Sequence, residues 1–321
     1  MLHTQSVGSI IGPKTENREL LIDTNVNMYS IKDDLTSNWI YFAFKAFEKI
    51  STSGSYTSFA TVGTGNGLDA LGASIIFSDL EKLYLSDLDA EALNLSYQNV
   101  YRNLLDHQRK KIQLKIFCGS LMKPYPDEKI DIIYANLPNI PSDLDLSEGM
   151  LSASFYAHKN IFKFTDSNSS LIKELQSYLL ELAYAFLYQA RHYLSQRGKV
   201  LLNLGGRVPG DLVQSMFESL GYQFNEVLCG FKFQTEADLV IPGYAKYENQ
   251  AVTFDFYLYH EAVEVLKKNS IPNPSFELDS KDFKKILEPF RLTAHEALVE
   301  IGKQNPVGHI CYVIEGSRKN S

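Results

Sequence analysis

The sequence predicts an α/β fold: a doubly wound, mostly parallel sheet with an antiparallel edge pair, a helical insertion and small terminal extensions. Three observations predict it. From residue 56 onward, short apolar runs alternate with amphipathic stretches, the pattern of strand–helix crossover units. The runs Val200-Leu-Leu-Asn-Leu and Asp131-Ile-Ile-Tyr-Ala have the composition of strands covered on both faces. Late in the chain two strand-like runs, 222–234 and 251–260, follow one another with no helix predicted between them, which suggests an antiparallel pair at an edge.

Residues 1–30 are polar and irregular. Over 34–50 the apolar residues Trp39, Ile40, Phe42, Phe44, Ala46, Phe47 and Ile50 recur at helical spacing, with Thr36 or Ser37 placed to cap the start. After a turn at 51–55 come a strand over 56–63 and a helix over 68–80. A strand over 82–87 and a helix over 90–105 follow. Strands are then predicted over 112–119 and 129–138, a long helix over 174–194, a strand over 198–206 and a helix over 210–221. Residues 142–170 are too long for an ordinary loop, and 142–180 are expected to form a helical lid. The expected division is an N-terminal helical extension (1–50), a main domain (51–265) and a C-terminal extension (266–321).

The chain has 321 residues, 45% hydrophobic and 21% charged, ordinary values for a globular protein. Its 31 basic and 38 acidic side chains leave a net charge of −7. That balance gives no bulk electrostatic reason to bind nucleic acid or an anionic membrane. Cys118, Cys229 and Cys311 show no CxxC spacing, which argues against a disulfide framework or a cysteine zinc site. No metal site is expected. No apolar run approaches the length of a membrane span, and the first residues lack a secretory pattern. A reducing, cytoplasmic setting and a small-molecule substrate are expected, with no oligomeric state specified.

The strongest local signal is Thr61-Val-Gly63-Thr-Gly65-Asn-Gly67-Leu68-Asp69, placed after a predicted strand and opening a helix. Glycines there let the backbone turn tightly and approach a ligand, at the strand ends where open parallel sheets bind. A dinucleotide fingerprint needs glycine where Leu68 stands, so a nucleoside without pyrophosphate is favoured. The next strand ends at Asp87, a carboxylate placed to accept both hydroxyls of a ribose; Leu88 follows it. Asp89 reads as a helix cap. A third signal is Tyr134-Ala-Asn136-Leu-Pro138-Asn139-Ile-Pro141, where the prolines send the chain out of the sheet in extended form.

This order of glycine loop, strand-end Asp87 and Asn136–Asn139 resembles class I S-adenosylmethionine-dependent methyltransferases over roughly residues 55–260. The resemblance implies a seven-stranded Rossmann-like sheet and S-adenosyl-L-methionine as cofactor. Gly63, Gly65 and Gly67 would line its amino-acid part, Asp87 would hold the ribose, Ser120 would stand near the adenine amine, and Leu88 and Asn136 would also contact the cofactor. Asn136–Asn139 matches the N-P-P-Y loop of the amino-methylating branch. Thr61 replaces the usual acidic residue before the glycines, so Asp69 or an N-terminal carboxylate would meet the cofactor's ammonium. Asn139 replaces an aromatic residue, which argues against DNA adenine or protein glutamine as target.

Downstream, Asn203-Leu-Gly205-Gly206-Arg207-Val-Pro-Gly210, Phe233-Gln-Thr235-Glu-Ala-Asp238 and Thr253-Phe-Asp-Phe256-Tyr are similar to the methyltransferase domain of methionine S-methyltransferases. So is Ile31-Lys-Asp33-Asp34-Leu-Thr36. The similarity implies a small amino-acid-like acceptor. Arg207 is expected to clamp its carboxylate, and the alternative is a surface salt bridge. Asp34 is expected either at an ammonium group or as helix-start charge. Tyr134, Tyr156 and Asn136 are the expected catalytic residues, with Phe155 as a further aromatic candidate and Tyr156 and His158 at the acceptor. No sharp base motif is visible, which favours an already neutral nucleophile such as a thioether.

Overall fold

The computed structural model describes residues 2–15, 18–25, 28, 31–142, 155–157 and 169–319. An N-terminal hairpin pairs β1 (His3–Ser6) with β2 (Leu21–Thr24). The main sheet contains β3 (Ser58–Val62), β4 (Lys82–Asp87), β5 (Gln113–Cys118) and β6 (Ile130–Ala135). A small separate pair joins β7 (Ile140–Ser142) to β8 (Phe155–Ala157). The main sheet continues with β9 (Leu194–Gly205), β10 (Tyr222–Phe233), β11 (Phe256–Leu258), β12 (Arg291–Leu292) and β13 (Val307–Arg318).

The spatial order β5-β4-β3-β6-β9-β13-β10 builds the body of the nine-stranded sheet. The first five of these strands run parallel; β13 is antiparallel to both β9 and β10. The order reverses between β3 and β6, so a cleft is expected beyond their carboxyl ends. Helices Trp39–Ser51, Leu68–Ile76 and Ala90–Asn103 carry buried apolar stripes into a core with Phe59, Leu83, Leu85 and Ile132 on one face of the sheet. Helices Glu181–Tyr193 and Gly210–Ser219 pack with Ala60, Ile133, Val200 and Leu202 on the other. The doubly wound, mostly parallel fold with an antiparallel edge pair is therefore present.

The partner in that edge pair differs from the expected one. Residues 251–260 contribute only the three-residue β11, and helix Ala237–Tyr247 lies before it. The strand that pairs with β10 is β13, which also fills the space between β10 and β9. The segment 266–321 therefore completes the sheet instead of forming an appended unit. Its apolar run Ile310-Cys-Tyr-Val-Ile is wholly buried, as a strand with neighbours on both sides requires.

Two helices also depart from the reading. The long helix over 174–194 is broken into Ser170–Ser177 and Glu181–Tyr193, with Leu179 at φ 59 between them; apolar periodicity alone does not report such a local break. The helix starting at 34 begins instead at Trp39, after a 3-10 turn over Leu35–Ser37 capped by Asp34. Within the expected helical lid, 155–157 form a strand parallel to β7. The rest of 143–168, including His158, and the side chains of Phe155 and Tyr156 lie outside the described residues. No described helix is long and apolar enough to cross a membrane, and the described residues contain no cluster able to hold a metal ion.

Candidate functional site

The cleft lies where the topology puts it, beyond the ends of β3, β6 and β9. Gly63, Gly65 and Asn66 line it from the glycine loop, Asn136–Ile140 from the loop after β6, Asn203 and Gly205 from β9, and Trp39 and Ile40 from the first long helix. Asp69 and Tyr134 form its floor. Parallel pairing of Val62 with Ala135 is what brings the glycine loop and the Asn136 loop to the same end of the sheet.

The three glycines have different tasks. All have positive φ, at 70, 55 and 81 for Gly63, Gly65 and Gly67, which an L side chain resists. A Cβ on Gly65 would meet nothing within 4 Å, whereas one on Gly67 would stand 2.8 Å from the Ser96 carbonyl oxygen. Gly65 thus opens the loop toward the cleft, and Gly67 lets helix Leu68–Ile76 pack on helix Ala90–Asn103. Neither Gly67 nor Asp87 is among the residues that line the cleft; what the structure shows for Gly67 is the packing role.

Asp87 ends β4 and is held from two sides. Gly65 N–H donates to its Oδ2 at 2.9 Å and Asp89 N–H to its Oδ1 at 3.1 Å. Burial pushes its carboxyl above the ordinary range, partly offset by those N–H groups. Asp89 caps helix Ala90–Asn103 through Glu91 N–H, as expected. Leu88 is 70% exposed beside Asp87, an apolar side chain available to a ligand. Ser120 follows β5, whose Cys118 pairs with Asp87; Ser120 neighbours the Asp87 strand end but is not part of the cleft wall.

Asp69 and Thr61 meet directly. The Thr61 hydroxyl donates to Asp69 Oδ2, and Thr64 Oγ1 and Ala70 N–H donate to Oδ1, each at 2.7 Å. Thr61 occupies the position where the resemblance implies an acid, and Asp69, eight residues on, brings a carboxylate to the same spot. Burial pushes its carboxyl up to about 6. Asn99 ties this loop to the N-terminal hairpin: its amide donates to Asn66 O and to Asp23 O, and its Oδ1 accepts from Asp23 N–H.

Tyr134 stands in the floor of the cleft near Asn203 and Asp69. Its hydroxyl is buried and makes no hydrogen bond of normal geometry. Burial raises it further into the protonated range, so it is a proton donor at neutral pH and not a base. Asn136 is exposed at the cleft mouth, while the Asn139 carbonyl accepts from the Tyr244 hydroxyl at 2.8 Å. Asp34 accepts from Thr36 N–H, the Thr36 hydroxyl and Ser37 Oγ. Of its two expected roles, the structure shows the helix-start one.

Arg207 is 1% exposed, which excludes the surface salt bridge. Its Nη2 donates to Gln234 Oε1 at 2.7 Å, and its guanidinium lies 5.2–5.7 Å from the rings of Tyr244, Trp39 and Phe256. It sits behind the cleft wall: a Cβ on Gly205 would stand 2.4 Å from Nη1. Reading the sequence did not identify Trp39, Asn203, Lys232 or His309 as site residues. The available signal was a basic residue inside an apolar strand, in Cys229-Gly-Phe-Lys232-Phe and Val307-Gly-His309-Ile.

No protein-family model matches the chain, and no curated protein matches it. Among solved structures it is similar to a ribosomal protein L11 methylase from Lactobacillus delbrueckii subsp. bulgaricus, at 16% identity over 58% of this chain and 70% of that one, with a TM-score of 0.37. It is also similar to a protein provisionally named a methyltransferase from Bacillus halodurans (11% identity, 86% and 98% covered, TM-score 0.44). A third is a precorrin-6y C5,15-methyltransferase from Geobacter metallireducens (11% identity, 91% and 94% covered, TM-score 0.35). The strand order, not these likenesses, defines the fold.

Proposed function

We propose that the protein is an S-adenosylmethionine-dependent methyltransferase acting on a small amino-acid-like acceptor, first among them a thioether such as methionine. The observation that carries the reading is the placement of Asp69 and Asp87 on either side of one open glycine loop. The donor set suits the proposed cofactor: a carboxylate at a strand tip for a ribose diol, a buried carboxylate for an ammonium group, and the uncrowded Gly65 between them. When bound, the cofactor supplies an electrophilic methyl group on a sulfonium sulfur.

The chain's own residues have then to position two reactants and exclude water. Asp87 fixes one end of the donor through a hydroxyl pair, and Asp69 fixes the other. Trp39 and Tyr134 bring aromatic side chains to the cleft wall. Asn136 places an amide at the mouth, where it can orient the acceptor. The described cleft wall holds one carboxyl group, Asp69, which would pair with the cofactor's ammonium and so would not be free as a base. A neutral thioether needs no base, which supports S-methylation over methylation of a protonated amine.

The competing reading is N-methylation of an amine or amide, supported by Asn136-Leu-Pro138-Asn139 at the cleft mouth; a panel of free amino acids against peptides separates the two. A non-catalytic cofactor-binding module is the third possibility, and a turnover assay separates it from both enzymes. The donor site itself is tested by Asp87→Ala. Losing hydrogen bonds to a charged group costs about 1.5–3 kcal/mol, so calorimetry is expected to show S-adenosylhomocysteine binding roughly ten- to hundredfold weaker. Unchanged affinity would remove Asp87 from the donor site.

A further inference from the structure

Arg207, Lys232 and His309 converge on one buried spot. Lys232 and His309 are direct cross-strand partners in the β10–β13 pair, so their side chains leave the same face of the sheet. Arg207 follows β9, whose Gly205 pairs with Cys311 on the other side of β13. All three meet Trp39: the His309 ring stacks on the indole at 5.0 Å, Lys232 Nζ lies 5.3 Å from it and the Arg207 guanidinium 5.6 Å. Lys232 and His309 are fully buried, Arg207 almost so.

Among the described residues neither cation has an acidic partner. Lys232 Nζ donates to its neighbour's carbonyl, Phe233 O, at 2.9 Å. Arg207 Nε and His309 Nε2 are buried without any hydrogen bond. His309 Nδ1–H donates to Ile310 O at 2.8 Å, which leaves Nε2 of the neutral ring as an unpartnered acceptor. Buried cations are ordinarily paired, and aromatic rings offset only part of the cost of leaving water. The residue that separates this cluster from the cleft is Gly205, and Trp39 belongs to both.

We propose that Arg207 and Lys232 form a receptor for an oxyanion carried by the methyl acceptor, with the neutral His309 ring stacked on Trp39 beside them and Trp39 as the wall the receptor shares with the cleft. The acceptor class is thereby narrowed to molecules ending in a carboxylate or a phosphoryl-type group. The proposal rests on reading the cleft as a methyl-transfer site, but the anion receptor is measurable without the donor. A ligand oxyanion supplies the negative charge that the neutral partners Gln234 Oε1 and Phe233 O do not, and an acceptor for the orphaned Arg207 Nε–H.

Proton uptake accompanies binding. Burial lowers Lys232 to about 7, helped by Arg207 and Lys32 and opposed by Glu236 and Cys311. His309 is held neutral by burial and by both cations, and Cys311 is pushed up to about 12. Between pH 6 and 9 the group in the cluster that titrates is therefore Lys232, and an anion draws a proton onto it.

Trp39 is the single tryptophan of the chain, so its emission reads the receptor directly. The experiment titrates the full-length protein with sodium sulfate and, separately, sodium acetate, at constant ionic strength in chloride and without methyl donor. A saturable change in Trp39 emission is expected with at least one anion, its affinity falling by up to about tenfold per pH unit above 7. Stronger binding of acetate assigns a carboxylate terminus; stronger binding of sulfate assigns a phosphoryl-type one. Lys232→Met removes a buried amine without removing volume, and is expected to weaken the anion at least tenfold and to abolish the pH dependence. Silence toward both anions, or unchanged affinity in Lys232→Met, overturns the proposal; the pH series on the unaltered protein decides it if the variant fails to fold. Anion binding without S-adenosylhomocysteine binding would retain the receptor and remove the methyl-transfer reading.

Discussion

Replacing Asp69 with asparagine is expected to stabilise the ligand-free protein above pH 6 while removing most of its affinity for the methyl donor. Asp69 is 7% exposed, and burial, with a smaller contribution from the Asp87 charge, pushes its carboxyl up to about 6 from 3.8. The folded state therefore holds this proton more tightly than the unfolded chain does. As pH rises through the window from about 4 to 6 the unfolded chain ionises first, so the stability contributed by Asp69 falls, and it levels off above 6. A shift of about two units corresponds to about 2–3 kcal/mol.

Asparagine keeps an acceptor for Thr64 and Ala70 N–H and never ionises. Urea melts of both proteins at pH 4 and pH 8 check the expectation: the variant is to gain about 2–3 kcal/mol on the wild type between the two. The same carboxylate is the proposed partner of the donor's ammonium. Wild-type affinity for S-adenosylhomocysteine should therefore rise with pH through about 6, and the variant's should be flat and roughly ten- to hundredfold weaker at pH 8. A pH-independent stability gap would mean that folding leaves the Asp69 carboxyl at its ordinary unfolded-state value, and would contradict the burial argument.

Gly67→Ala is expected to be the most damaging single-methyl change in the loop, and Gly65→Ala to spare the fold. At Gly67 the added carbon meets Ser96 O at 2.8 Å and Ser96 Cβ at 2.9 Å, at φ 81. Backbone cannot swing away as a side-chain tip can, so left-handed strain of about 1–2 kcal/mol adds to overpacking of about 1–3 kcal/mol. At Gly65 the strain acts alone, and the methyl group projects into open cleft. Thermal melts should show the large loss in Gly67→Ala alone, and calorimetry should show weakened donor binding in Gly65→Ala with the fold intact. Equal destabilisation of the two variants would contradict the division of labour between them.

The parallel half of the sheet was legible because its strands are short apolar runs ended by turn residues. Asp87 is legible as a strand end because it terminates such a run. The pairing of β13 with β10 was not legible, because the partners are 222–233 and 307–318 in sequence, and periodicity carries no information about which distant strand fills a gap. Asp69 was named as a substitute for the acid missing at Thr61, and the structure brings the two side chains together. Lys232 and His309 are not legible as a pair in the sequence, because the cross-strand pairing sets two basic side chains together. The packing role of Gly67 against Ser96 is not legible, because spacing cannot distinguish a glycine that admits a ligand from one that admits a neighbouring helix.

Methyl transfer itself is tested most directly with S-adenosylmethionine carrying a deuterated methyl group. The full-length protein is incubated with this donor and a small-molecule metabolite extract, and the products are resolved by mass spectrometry. Enzyme-dependent appearance of a labelled, amino-acid-like product that bears a carboxylate or phosphoryl-type group is expected, and it should be lost in Asp87→Ala. Tight binding of the donor with no label in any metabolite or added peptide would contradict an enzymatic role and leave a cofactor-binding module.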